Sequence, residues 1–165
     1  MINIDQMRAH ISQTLLHLGG KYASEAAVDL LLATGIAESG YRYIRQISGP
    51  ARGFWQVEPA TAKDNVDSYL KYRIPLMEKC AEASHVPLKE WQFADQGTWE
   101  DILETNIASG IIHARLKYWR VPKKLSHTTD GMASYWKKYY NTEEGAGTEA
   151  HFKDGIMKHL THYED

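Results

Sequence analysis

Apolar residues recur at three- and four-residue steps along most of the chain. Ile4, Met7, Ile11, Leu15 and Leu18 mark one face of a first helix, and Gly19-Gly20 stops it. Ser24 has the chemistry of an N-cap for a second helix, EAAVDLLLATGIA, whose apolar residues wrap most of its circumference. A helix of that kind is expected to be buried, and Gly40 to end it, which puts Glu38 in the last turn. From Tyr41 to Trp55 the chain has Gly49, Pro50 and Gly53 and no clear period, predicting a loop with at most a small β-hairpin. Pro59 fits the first turn of a helix carrying Val66, Tyr69 and Leu70. IPLMEKCAEAS predicts another short helix, and HVPLKEWQFADQG is the least regular stretch. Thr98 is expected to cap a long helix through Ile102, Ile107, Ile111, Ile112, Leu116 and Trp119, with Pro122 ending it. Asp130 opens GMASYWKKYYNT, and Thr148 opens a last helix with Phe152, Ile156 and Leu160. With no repeat, linker or convincing set of alternating strands, the prediction is one mainly α-helical domain over residues 1–165.

Composition narrows the classes of function. The 165 residues, 43% apolar and 24% charged, suffice for a sizeable core. A net charge of −2 makes nucleic acid an unlikely default partner, and the cluster Lys117, Arg120, Lys123 and Lys124 reads as a solvated helix end and loop. Cys80 is the only cysteine, which excludes an intrachain disulfide and reads as a small core residue. Eight histidines contain no His-Glu-x-x-His: His159 and His162 stand three apart, and His113, His127 and His151 are scattered, so neither a metal nor a cofactor is expected. No apolar run approaches the roughly 20 residues of a membrane span, so membrane insertion is not expected.

Glu38 carries the candidate chemistry. Desolvation disfavours its charged form, and the negative end of the helix dipole disfavours it again. A carboxyl kept protonated near neutral pH can donate a proton to a leaving group, as glycosidic cleavage requires. A glutamate that simply turns out to solvent at a helix end is the bland alternative. The neighbouring Gly53-Phe54-Trp55-Gln56 offers a backbone able to approach a ligand, two aromatic faces and an amide. Sugars are bound by such groups, although core packing accounts equally for Phe54 and Trp55.

Glu38-Ser39-Gly40-Tyr41 resembles the Glu-Ser-x-aromatic motif of soluble lytic transglycosylases and goose-type lysozymes, which share a fold. Gly53-Phe54-Trp55-Gln56-Val57-Glu58-Pro59-Ala60-Thr61-Ala62 is similar to the transglycosylases' second motif. Asn106-Ile107-Ala108-Ser109-Gly110 resembles the third, and Tyr139-Tyr140-Asn141 with Gly145 and Gly147 the closing Tyr-Asn-x-Gly segment. The four occur in the family's order between Leu30 and Gly147. Three departures stand out: a longer spacer at residues 64–98, Trp55 in place of a methionine, and Thr142-Glu143-Glu144 where alanine and glycine are usual.

The resemblance implies a lysozyme-like helical domain that cleaves the β-1,4 bond between MurNAc and GlcNAc in peptidoglycan. Glu38 would be general acid and then base, Ser39 would support the site, and Gly53, the backbone of Phe54 and Trp55, and Gln56 would line the glycan groove. Tyr140 would hydrogen-bond near the carboxyl and help keep it protonated, and Asn141 would stand beside it as a substrate-binding residue. A transglycosylase needs one carboxylate, because the substrate's own 6-hydroxyl attacks and leaves a 1,6-anhydro end. An inverting hydrolase needs a second about 6.5–9.5 Å away, and Glu58 is the candidate. Glu58 beside Pro59 is also what a helix start favours without any catalytic task. A non-catalytic glycan-binding or structural virion protein on the same fold is the reading from another class. MINIDQMRAH lacks a basic start followed by an apolar stretch, so no signal peptide is expected. The resemblance then implies a phage-type enzyme, made in the cytoplasm and brought to the wall by a virion or after holin action.

Overall fold

A computed structural model describes residues 2–142 and 145–160; Glu143, Glu144 and His162 lie outside the described residues. The protein is mainly α-helical, and the described residues form no strand or sheet. The loop after the second helix carries only two isolated antiparallel bridges, Arg45 with Arg52 and Arg52 with Val57.

Helix α1 is Ile4–Leu18 and α2 is Glu25–Ser39, both as their apolar patterns predict. Ser24 Oγ accepts from Ala27 N, and Gly40 closes α2 in the left-handed conformation. Twelve of the fifteen residues of α2 are buried. Helix α3 is Pro59–Asp67; it stops before Tyr69, and Leu70 falls in a separate 3₁₀ turn, Leu70–Tyr72. Helix α4 is Ile74–Ser84, and the irregular stretch after it folds as a short α5, Leu88–Phe93.

The predicted long helix is two helices. Asp95, not Thr98, caps α6, Gln96–Thr105, by accepting from Thr98 N. Asn106 then leaves the helical region and caps α7, Ile107–Trp119, its Oδ1 accepting from Ser109 N at 2.8 Å. Thr128 rather than Asp130 caps α8, Thr129–Trp136, which runs into a π-helical turn, Lys137–Asn141. Helix α9 is Glu149–His159, capped by Thr148.

One apolar cluster extends from Met7 to Leu160. Its centre is α2, which packs on α1, α7, α8 and α9. The spacer at 64–98 builds the far side of this core through Leu70, Met77, Cys80 and Trp91, with α4 against α1 and α7. Burial pushes the Cys80 thiol up to about 12, which leaves it unreactive.

Candidate functional site

The C-terminal end of α2 opens into a groove of about 930 Å³. Its walls come from the loop after α2, the start of α3, the π turn with its following loop, and the start of α9. None of residues 64–98 lines it. Glu38 does, and it is held there by one strong contact: Trp136 Nε1–H donates to Glu38 Oε1 at 2.9 Å. The indole is in turn fixed by stacking on Phe152, centroid to centroid 5.1 Å. Tyr43 Oη donates to the Glu38 carbonyl at 2.8 Å and brings an exposed ring to the groove.

Burial raises the Glu38 pKa above its ordinary 4.5, as α2 predicts. The Trp136 N–H, the nearby Lys117 and His151, and the Asn141 side chain oppose that rise without cancelling it. Trp136 is the stronger of two hydrogen-bonding side chains on the carboxyl, Asn141 being the other, and its N–H favours the charged form. Trp136→Phe is expected to leave Glu38 protonated to higher pH, moving the midpoint of its carboxyl titration, followed by NMR, upward. A midpoint that stays in place would remove Trp136 from the site.

Tyr140 departs from the expectation. It lines the groove, but its hydroxyl donates to the Trp55 carbonyl at 2.6 Å, not to Glu38. Burial and the neighbouring Glu38 push its phenol well up, so it stays a neutral donor. Its contribution is to pin the second motif to the π turn. Asn141 also lines the groove; its Oδ1 accepts from Lys137 Nζ at 2.9 Å. Gly147 permits the closing loop to lie on this turn, because a Cβ there would come within 2.5 Å of the Trp136 ring.

The second motif divides between core and groove. Trp55 is 1% exposed, with Nε1–H donating to the Leu31 carbonyl at 2.9 Å, so it is core and no groove floor. Phe54 packs edge-on against Tyr41 and Trp55 and does not line the groove. Gly53 is needed for packing: φ is +75°, and a Cβ would meet the Leu103 carbonyl oxygen at 2.7 Å. Gly53→Ala is expected to cost roughly 1–3 kcal/mol in chemical denaturation; an unchanged midpoint would contradict this account. Ser39 is buried away from ligand, its Oγ donating to the Phe54 carbonyl at 2.7 Å and accepting from Tyr41 N. It ties the end of α2 to the motif that follows.

Gln56 and Glu58 do face the groove. Gln56 sits at φ +48°, and its Nε2 donates to the Gly53 carbonyl at 2.9 Å, which turns the amide along the groove wall. Glu58 precedes α3 at the N-cap position, but its side chain makes no cap bond and stays exposed.

No known protein family, curated protein or solved structure matches this chain. What the site can do is read from its own residues.

Trp136, Lys117 and His151 are among the groove residues that have no counterpart in the motifs. Lys117 donates to the Tyr140 carbonyl at 2.8 Å and lies 4.3 Å from its ring centroid. Burial pulls its pKa down, while Glu38 and Glu58 pull it up, so one ammonium senses both carboxylates. His151 Nε2 lies 3.1 Å from the Ala37 carbonyl, which can only accept, so that nitrogen carries the proton. The only signals for these three were their places on helices whose other faces are apolar.

Proposed function

We propose that the protein is a peptidoglycan-cleaving enzyme of the lysozyme-like kind, with Glu38 as its general acid and then its base. The observation that carries this reading is a half-buried carboxyl, raised in pKa by desolvation, at the end of an apolar helix and opening into a groove. The four motifs in family order support the same reading.

In this mechanism protonated Glu38 gives its proton to the bridging oxygen as the bond to the anomeric carbon breaks. The carboxylate left behind accepts the Trp136 N–H and faces Lys117, so charge that develops on it meets fixed partners. The substrate's 6-hydroxyl then attacks the anomeric carbon and returns a proton to Glu38, leaving a 1,6-anhydro end. Gln56 and the Tyr43 ring supply an amide and an aromatic face to the glycan, in the place first expected of Phe54 and Trp55.

Hydrolysis is the second reading, because Glu58 lines the same groove and lies close enough to act on the same lysine. A water activated by Glu58 would give a reducing end instead. The test is digestion of peptidoglycan by the wild type and by Glu58→Gln. Anhydro ends, and a Glu58→Gln variant within a few-fold of wild type, are expected for the transglycosylase. Reducing ends lost in that variant would make it a hydrolase. Binding of glycan with no cleavage would make it a binding protein.

A further inference from the structure

A second cleft, of about 550 Å³, shares no lining residue with the groove. The stacked rings of Tyr118 and Tyr140, 5.0 Å apart, stand between the two, Tyr118 lining the cleft and Tyr140 the groove. The cleft is built from the start of α2, the end of α7 and the loop that follows it.

Arg115 forms part of its wall and is only 3% exposed. Its Nε donates to the Tyr22 carbonyl at 2.8 Å, and among the described residues it has no other hydrogen bond and no carboxylate partner. Burial brings its pKa down to about 10, so it remains charged at neutral pH. A guanidinium this buried is ordinarily paired with an acid; here its partners are one carbonyl and the Trp119 ring.

The surroundings add further positive charge, set against one aromatic face. Arg115 Cζ and Lys21 Nζ lie 5.2 and 5.6 Å from the Trp119 ring centroid. Lys123, Lys124 and His127 stand exposed at the lip, and among the described residues no Asp or Glu lines the cleft, the exposed Glu25 of the first turn of α2 being the acid next to it in the chain. Ser24 and Ala26 place the positive end of the fifteen-residue α2 at its edge. The chain as a whole is net negative, so this concentration of cations is local.

We propose that this cleft binds a phosphate-bearing ligand, with the free guanidinium nitrogens of Arg115 and the lysines at the lip as its donors. A lone carboxylate would neutralise one of four cations. A phosphate monoester carries about −1.5 to −2 at pH 7 and three acceptor oxygens, and a phosphodiester polymer carries one charge per unit. The forked guanidinium matches such oxygens in pairs. The cleft exceeds a bare phosphate, and the Tyr118 and Trp119 rings supply walls for the sugar or polyol that bears it. This assignment does not depend on glycan cleavage.

The test is calorimetric titration of the full chain at constant ionic strength with inorganic phosphate, with poly(glycerol phosphate) and with acetate. Saturable binding of at least one phosphate probe is expected, with acetate about tenfold weaker or more. Binding of both probes makes the phosphate group sufficient, and binding of the polymer alone makes the phosphodiester chain the source. Lys123→Ala/Lys124→Ala, at exposed positions, is expected to weaken binding about tenfold. Arg115→Met removes a buried charge in favour of an apolar stem and is expected to fold and to abolish binding. No saturable binding of either phosphate probe, or binding unchanged in the lysine pair variant, would overturn the proposal.

Discussion

Glu38→Gln is expected to lower peptidoglycan cleavage by about 10²–10⁴-fold or more, while the protein remains folded. Both halves follow from the carboxyl's setting. Gln keeps the size of the side chain and an oxygen able to accept the Trp136 N–H, so the groove keeps its shape. It cannot donate a proton to a leaving oxygen with the driving force of a carboxylic acid. The stability half has a definite sign. Because the folded-state pKa of Glu38 lies above its ordinary 4.5, the wild type is penalised as pH rises through that folded value. The Gln variant carries no such penalty. Its thermal midpoint should match the wild type at acid pH and equal or exceed it at neutral pH. A variant that loses activity together with thermal stability at pH 7 would mean that Glu38 is structural.

A second large effect is expected in the core. His113 is fully buried, stacked on Trp91 at 4.9 Å and edge-on to Trp99 at 4.6 Å. Asn65 Nδ2 approaches its Nδ1 at 3.1 Å, so Nδ1 accepts and the proton sits on Nε2, which has no partner among the described residues. Protonating Nδ1 would set an N–H against an amide donor in an apolar site. Burial accordingly takes the pKa from 6.5 down to about 3. Between those values the unfolded chain binds a proton that the folded chain refuses. Stability is therefore complete above pH 6.5 and falls by roughly 3–5 kcal/mol on the way to pH 3. His113→Phe retains an aromatic ring between the tryptophans and leaves Asn65 its bond to the backbone carbonyl of residue 113. In urea denaturation the wild type should lose more stability than this variant between pH 7 and pH 4. Parallel loss in both would mean that His113 takes up its proton in the folded state.

The elements that sequence pattern captured are those whose period and caps agree. In α1 and α2 the apolar spacing, Ser24 and the terminal glycines all point to the same boundaries. Asn106 escaped because Leu103, Ile107 and Ile111 keep four-residue steps across it, while its side chain caps the next helix. Thr98 resembles a cap in isolation; Asp95 wins because its carboxylate reaches Thr98 N from a β-region backbone.

The site divides the same way. Glu38 was legible because burial of α2 and its last turn are both local properties. Gln56 was legible as an amide with no reason to sit in the core. Trp136 was not, since the contact that matters spans 98 positions and helical spacing says only that some aromatics of α8 face inward. The same distance hid Lys117 and His151. Trp55 was open between core and groove, and its side chain falls in the core because its indole N–H finds the Leu31 carbonyl, a partner supplied by another helix. The helix pattern pointed to the carboxyl, and the physics of its partners came only with the fold.

The measurement that tests the central claim most directly is mass spectrometry of fragments released from purified peptidoglycan by the wild type beside Glu38→Gln. The account predicts muropeptides with 1,6-anhydro ends, lighter by one water than hydrolytic products, from the wild type and almost none from the variant. No release by the wild type, or equal release by a folded Glu38→Gln protein, would contradict it.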